Sequence, residues 1–148
     1  MAAEAFRAYT GADRDQAMAL LDANIPEAFH PGERGAFTEF LSAFATDYRV
    51  LPRQGRLIAA FALSAEPQPH TGRIRWLMAH PEVHGIGLGR AMMDEVKSEA
   101  RARGIALITI AASHVSEAFY TRFGATVDVR THDGWGPGMH RVDMTWRI

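Results

Sequence analysis

The chain lacks cysteine and any long apolar segment, and each absence excludes a class of protein. Without cysteine, the fold contains no disulfide framework, no thiolate metal site and no cysteine nucleophile. No apolar run reaches the ~18 residues that a membrane-spanning helix needs. Residues 1–15 also lack the basic region followed by an apolar region that marks a secretory signal. We therefore expect a cytoplasmic protein that does not associate with a membrane.

A dominant charge of one sign is missing as well, because 16 basic and 17 acidic residues leave a net charge of -1. Such a chain has no overall field that would attract nucleic acid, so we expect no nucleic-acid partner. Lys97 is the single lysine, and the arginines are scattered, which we interpret as a compositional bias. The 148 residues are enough for one domain with its own core, and we assign residues 1–148 to it.

The seven histidines form no recognisable metal-binding motif. They fall singly along the sequence, and no predicted helix carries two of them at the H-x-x-x-H spacing that would place both imidazoles on one helix face. We therefore expect no bound metal.

The spacing of apolar residues predicts an alternation of strands and helices. Residues 11–29 show a helical pattern that begins near Asp13 and that Pro26 ends or kinks. Residues 105–112 form a continuous apolar run, which is typical of a strand buried on both faces. The order β-α-α-β-β-β-α-β-α-β-β indicates an α/β domain with a mixed sheet. Strands are expected at residues 4–10, 48–54, 55–66, 73–80, 105–112, 125–133 and 140–148, and helices at 11–29, 32–47, 89–104 and 113–124.

Residues 82–92, EVHGIGLGRAM, place three glycines between a predicted strand and a predicted helix. This arrangement favours anion binding, because free amide groups converge at the positive end of a helix and glycine lets a phosphate come close. The spacing does not fit the dinucleotide motif G-x-G-x-x-G, since the sixth position counted from Gly85 is Arg90. It does not fit a P-loop either, because no G-K-[ST] ends the stretch.

The loop does fit the pattern R/Q-x-x-G-x-G/A, with His84 in the first position and Gly87 and Gly89 on the glycines. Here the sequence resembles the GNAT superfamily of N-acetyltransferases. A second stretch, SHVSEAFYTRFGA, is similar to the family motif N-x-x-A-x-x-x-Y-x-x-x-G. Tyr120 and Gly124 match the tyrosine and the glycine, whereas serines stand at the asparagine and alanine positions. The predicted order of elements also matches the fold of this family.

The resemblance implies that the chain is an enzyme and that acetyl-CoA lies in a V-shaped gap between strands 73–80 and 105–112. The pantetheine arm would then pair with the backbone of Met78 and Ala79 and pass near Ser113, which replaces the usual asparagine. An acceptor amine attacks the thioester directly in a ternary complex, and Tyr120 stands at the general-acid position. A homodimer is compatible with the family. The residues implied at the pyrophosphate are His84, Gly85, Ile86, Gly87, Leu88, Gly89 and Arg90.

The sequence leaves several alternatives open. Tyr120 is either the acid or a core tyrosine bonded to a backbone carbonyl. The stretch 131–141, with Trp135, is either a hairpin loop packed on the core or a substrate lid in which Asp133 or Asp143 receives an ammonium group. No general base is assigned. The acceptor is a small molecule or peptide with a primary amine, and the competing functions are a non-catalytic acyl-CoA-binding module and an enzyme that uses another acyl donor or an alcohol acceptor.

Overall fold

The computed structural model describes residues 5–83 and 87–148. Within these ranges it has seven strands and four α-helices. The strands are β1 Arg7–Ala8, β2 Tyr48–Arg53, β3 Arg56–Ala65, β4 Thr71–Ala79, β5 Leu107–Ser113, β6 Thr126–Gly136 and β7 Met139–Arg147. The helices are α1 Arg14–Ala23, α2 Arg34–Ala43, α3 Leu88–Ala102 and α4 Glu117–Arg122. The described part of the chain has no helix with the length and apolarity needed to cross a bilayer.

The strands form one mixed sheet in the order β1-β2-β3-β4-β5-β7-β6. Adjacent strands are antiparallel except for β4 and β5, which run parallel. A parallel pair needs a crossover connection, and α3 supplies it. The predicted α/β class, mixed sheet and element order are therefore confirmed.

The helices cover the two faces of the sheet. On one face, α1 and α2 pack with Trp76 and Met78 of β4 in a cluster that includes Leu20, Leu21 and Phe37. On the other face, α3 packs against the sheet through residues spaced four apart, which form one apolar stripe. These residues are Leu88, Met92, Val96 and Ala100. Because successive side chains of β4 point to opposite faces of the sheet, this strand packs against both helical layers.

The first helix is shorter than its apolar pattern indicates. α1 ends at Ala23, three residues before Pro26, so the helix ends near this proline, as one of the two expected outcomes had it, and does not continue to residue 29. The side chain of Asn24 explains the end, because its amide Nδ2 donates to the carbonyls of Leu20, at 2.9 Å, and of Ala79, at 3.1 Å. The second of these bonds ties the helix to the end of β4. Residues 24–33 therefore form a connection that runs past the end of the strand instead of continuing the helix.

The last hairpin is longer than predicted. β6 continues to Gly136, through residues that we expected to form a loop, and Gly136 pairs with Met139. An irregularity between Thr131 and Gly136 accommodates this extension. Asp133 sits there at a positive φ of 51°, and its Oδ1 accepts the backbone N–H of Gly138 at 2.9 Å. The glycine-rich stretch thus bends the strand without ending it.

Candidate active site

The site begins where β4 and β5 separate. Their parallel pairing runs from Thr71 opposite Leu107 to Ile74 opposite Ile110 and then stops. Beyond this point β4 contains a bulge at Trp76, where the register with β3 shifts and φ is 48°. The Tyr48 hydroxyl supports the bulge by donating to the Trp76 carbonyl at 2.9 Å. Because a bulge bends its strand, the two strands diverge and leave a V-shaped gap, as the resemblance implied.

The backbone edge of β4 is open at alternate residues. His80 N–H donates to the Ile58 carbonyl of β3 at 2.7 Å. Since hydrogen-bonding direction alternates along a strand, the amide groups of Met78 also face β3, while those of Leu77 and Ala79 face the gap. The carbonyl of Ala79 is already held by Asn24. Of the two expected pantetheine contacts, Ala79 therefore lies on the open edge, whereas the backbone of Met78 is paired with β3.

A cavity of about 880 Å³ fills the gap and reaches both faces of the sheet. We call its two parts the α3 end and the α1 end. Residues of α3 and α4 line the α3 end, among them Gly87, Leu88, Gly89, Arg90, Phe119, Tyr120 and Arg122. The connection 24–33 and the strand ends line the α1 end through Asn24, Ala28, Phe29, Glu33, Trp76, Trp135 and Arg141. The cavity thus joins the two sides of the sheet through the opening between β4 and β5.

The N-terminus of α3 faces the cavity, and within residues 5–83 and 87–148 the amides of its first turn have no acceptor. Gly87 caps the helix at a positive φ of 76°, and a Cβ built there would meet nothing within 4 Å. The first backbone bond joins Ala91 N–H to the Gly87 carbonyl at 3.0 Å. The N–H groups of Leu88, Gly89 and Arg90 consequently have no acceptor within the helix. Three such donors at the positive end of a helix have the chemistry that favours an anion.

Gly89 has a packing role in addition. A Cβ at this position would lie 2.6 Å from Cε1 of Phe119 on α4. A hydrogen at residue 89 therefore lets α4 approach the first turn of α3. The predicted contacts of His84, Gly85 and Ile86 lie outside the described residues.

Tyr120 lies on α4 in the wall of the cavity, with 5% of its surface exposed. Within residues 5–83 and 87–148 its hydroxyl has no hydrogen-bond partner, unlike that of Tyr48. The carbonyl bond that would make Tyr120 a purely structural core residue is thus missing from the described part of the chain. Burial raises the pKa of the Tyr120 phenol well above its usual value, so the group remains protonated at neutral pH.

Ser113, at the end of β5, is buried and forms a reciprocal pair with Ser116. Its N–H donates to Ser116 Oγ at 3.1 Å, and the Ser116 N–H donates to Ser113 Oγ at 3.3 Å. The pair organises the turn that leads into α4, which carries Tyr120. Ser113 lines the cavity, but its hydroxyl is already engaged by Ser116.

Glu33 brings a carboxylate to the α1 end. Its Oε2 accepts the backbone N–H of His30 at 2.8 Å, which closes the turn Pro31–Glu33 ahead of α2. Burial raises the pKa of the Glu33 carboxyl, although the His30 N–H opposes the shift. The sequence pattern at Glu33 indicates only a helix start, so sequence reasoning missed this residue.

Trp135 forms a fixed wall of the α1 end. Its indole N–H donates to the Ala112 carbonyl at 2.9 Å, and the guanidinium of Arg141 lies 4.9 Å from its ring. Asp143 is held by Arg141 at 2.9 Å. Asp133 accepts a backbone N–H, and neither of these two carboxylates lines the cavity. The structure therefore gives Trp135 a place at the cavity but does not bring Asp133 or Asp143 to it.

The histidines are less isolated than their sequence positions indicate. Candidate ligand atoms of His132, Asp133 and His140 lie within 4.8 Å of one another, and the His114 ring is 4.7 Å from that of His140. The pairing of β6 with β7 causes this clustering, which a search for helical spacing misses. In two of the rings one nitrogen is engaged, because Nδ1 of His140 accepts the N–H of Asp133 and Nδ1 of His114 accepts the N–H of His140.

Comparison with known proteins agrees with this architecture. Residues 14–125 match the Acetyltransferase (GNAT) family. The fold is similar to those of Ard1 from Thermoplasma volcanium (TM-score 0.81, 13% identity, 99% of each chain covered) and the ribosomal-protein-S18-alanine N-acetyltransferase from Escherichia coli (0.77, 15%, 99% of this chain and 94% of that one). It is also similar to N-acetylglutamate synthase from Neisseria gonorrhoeae, solved with coenzyme A and N-acetyl-glutamate (0.75, 17%, 99% of this chain and 35% of that one).

The chain belongs to the GNAT family of acetyltransferases. It is therefore an acyltransferase enzyme, and the family uses acetyl-CoA.

Proposed function

We propose that this enzyme transfers an acetyl group from acetyl-CoA to a primary amine by direct attack within the cavity. The observation that carries the proposal is the continuity of the cavity. It joins the first amides of α3 and the phenol of Tyr120 to a pocket that opens on the opposite face of the sheet. Two substrates can thus enter from opposite sides and meet in the gap.

The α3 end suits the donor. The pyrophosphate accepts hydrogen bonds from the N–H groups of residues 88–90, and Arg90 and Arg122 supply positive charge at the same end. The pantetheine arm extends along the open edge of β4 at Leu77 and Ala79, as an added strand would. The Ala79 carbonyl remains bonded to Asn24, so the Ala79 N–H and the amide groups of Leu77 are the contacts for this arm.

The reaction makes two demands on protons. A neutral amine attacks the thioester carbonyl, the new N–C bond forms, and the amine proton leaves to solvent as the C–S bond breaks. Tyr120 donates a hydrogen bond to the departing sulfur. Because the pKa of this phenol is raised far above that of a thiol, about 8.5, it stabilises the thiolate mainly as a hydrogen-bond donor. The thiolate then takes a proton from solvent, which balances the proton lost by the amine, and Tyr120 keeps its own.

The test is a release assay for free thiol with acetyl-CoA and a panel of primary amines, run beside calorimetric titration of CoA. We expect CoA binding together with amine-dependent thiol release. Binding without release for any amine or acyl donor identifies a non-catalytic acyl-CoA-binding module instead. Release that requires an alcohol acceptor or a longer acyl chain also contradicts the proposal.

A further inference from the structure

We propose that Glu33 binds the ammonium group of the acceptor, and that the acceptor carries this amine on an apolar, flat body. This inference rests on the proposed function and specifies its acceptor side. Glu33 acts here as a specificity-determining residue, at the end of the cavity opposite the donor phosphates. The argument depends on the placement of its carboxylate, the charges around the cavity and the aromatic walls.

The carboxylate of Glu33 is fixed and available. The bond from His30 N–H to Oε2 holds the side chain in place and leaves Oε1 for a ligand. Among the residues that the structure describes, no arginine or lysine forms an ion pair with Glu33, and the neighbouring His30 acts on it as a charge only when its imidazole is protonated. A half-buried carboxylate without a cationic partner is desolvated at a cost, and a bound ammonium group offsets that cost.

The charges around the cavity are divided between its ends. Glu33 is the one acid among the described lining residues, which also include five arginines. Arg73 pairs with Glu66 at 3.5 Å, and Arg141 pairs with Asp143. The remaining three are Arg75, whose guanidinium stacks on Phe40 at 5.3 Å, and Arg90 and Arg122 at the α3 end. Glu33 thus supplies the one negative charge of the described lining, at the α1 end, while Arg90 and Arg122 supply positive charge at the α3 end.

The walls near Glu33 are aromatic. Phe29 and Trp76 stack with their ring centroids 5.9 Å apart and their planes 23° from parallel. Trp135 adds a third ring, held in place by Ala112 and Arg141. Such surfaces bind a flat apolar group by contact area and attract a nearby cation through their ring faces. A pocket of three rings and one carboxylate fits an arylalkylamine better than a fully polar amine.

The test compares two probes of similar shape, 2-phenylethylamine and 2-phenylethanol, on the CoA-loaded protein at pH 7. Binding is followed by calorimetry and by tryptophan fluorescence, since Trp76 and Trp135 line the pocket. We expect the amine to bind at least tenfold more tightly than the alcohol. Glu33→Gln, which keeps an oxygen for the His30 N–H, should abolish this preference and leave the Kd of CoA unchanged. Glu27→Gln, an exposed acid on the same connection, should retain the preference.

A second readout separates this inference from the proposed function. In an active enzyme, Glu33→Gln should raise the amine KM at least tenfold and leave the acetyl-CoA KM unchanged. Thermal unfolding of the variant should match that of the wild-type protein. The inference is overturned if the wild-type protein binds amine and alcohol equally, if it binds neither, or if Glu33→Gln keeps the preference. An amine preference without thiol release overturns the acetyl-transfer proposal alone.

Discussion

Removal of the Tyr120 hydroxyl should separate the proposed catalytic role of this residue from folding. Within the described residues this hydroxyl has no hydrogen-bond partner, so Tyr120→Phe leaves no buried protein group unpaired. The ring also keeps its edge contact with Phe119, at a centroid distance of 5.1 Å. We therefore expect a change in the free energy of unfolding of less than about 0.5 kcal/mol, within the range typical of neutral substitutions.

The catalytic effect should be much larger. A hydrogen bond to a charged group contributes about 1.5–3 kcal/mol, which corresponds to about a 10- to 150-fold loss of kcat if the bond forms only to the departing thiolate. CoA affinity should change little, because the proposed phosphate site lies at the start of α3. In the wild-type enzyme, the raised pKa of Tyr120 means that kcat should not fall through phenol ionisation between pH 7 and 10.

Thiol release measured under saturating substrates, with urea unfolding and CoA calorimetry in parallel, provides the test. Tyr48→Phe is the matched contrast, because its hydroxyl bonds to the Trp76 carbonyl and its loss should cost about 0.5–1.5 kcal/mol of stability. Wild-type turnover in Tyr120→Phe would refute the assignment. A loss of activity that merely follows a loss of stability would refute it equally.

Two further substitutions test the α3 end and the ion pair between Asp13 and Arg7 of β1. Gly87→Asn, in which asparagine tolerates the positive φ of 76°, should weaken CoA binding at least tenfold by calorimetry because its side chain enters the open space before the helix; unchanged affinity in a folded variant contradicts the phosphate assignment. Asp13 accepts hydrogen bonds from Arg7 and from the Thr10 N–H, and these lower its pKa. The resulting stabilisation is complete above the unfolded pKa of about 3.9 and is lost as the pH falls through the lower folded value. Asp13→Asn should therefore destabilise the protein by about 1 kcal/mol at pH 7 and by less at pH 3 in urea unfolding, and an equal loss at both pH values contradicts this reasoning.

The sequence predicts best the features that depend on backbone geometry. Apolar periodicity identified α3 and β5. In α3 the buried residues recur every four positions, and in β5 every second residue is buried. It failed at residues 24–29, where the pattern continues but Asn24 bonds to a strand 55 residues later. It also failed at residues 134–136, because glycine is compatible with a bent strand as well as with a loop. In both places a contact distant in sequence decided the structure, and local preference could not reveal it.

The histidines illustrate the same limit at the level of a site. His132 and His140 are eight residues apart, a spacing that matches no helical metal-binding motif. Across the β6–β7 hairpin, however, their ring centroids lie 4.6 Å apart. Their proximity depends on the register between β6 and β7, which contains an irregularity between Thr131 and Gly136. Sequence spacing alone does not predict such a register. A motif search is therefore reliable only where the element that carries the motif is already certain.

In the proposed function, the two ends of the cavity bind their substrates in different ways. This difference explains why sequence motifs identify the acyl donor but not the acceptor. The proposed donor end offers main-chain groups of one helix start and one strand edge, and these require a continuous pattern of glycines and apolar residues. The acceptor end is assembled from side chains on three separate segments, represented by Glu33, Trp76 and Trp135. Residues 24–33 form a connection outside the sheet, so substitutions there can alter acceptor preference while the strands that hold the donor stay paired. Acceptor specificity in this fold can consequently change without any trace in the motifs that identify the family.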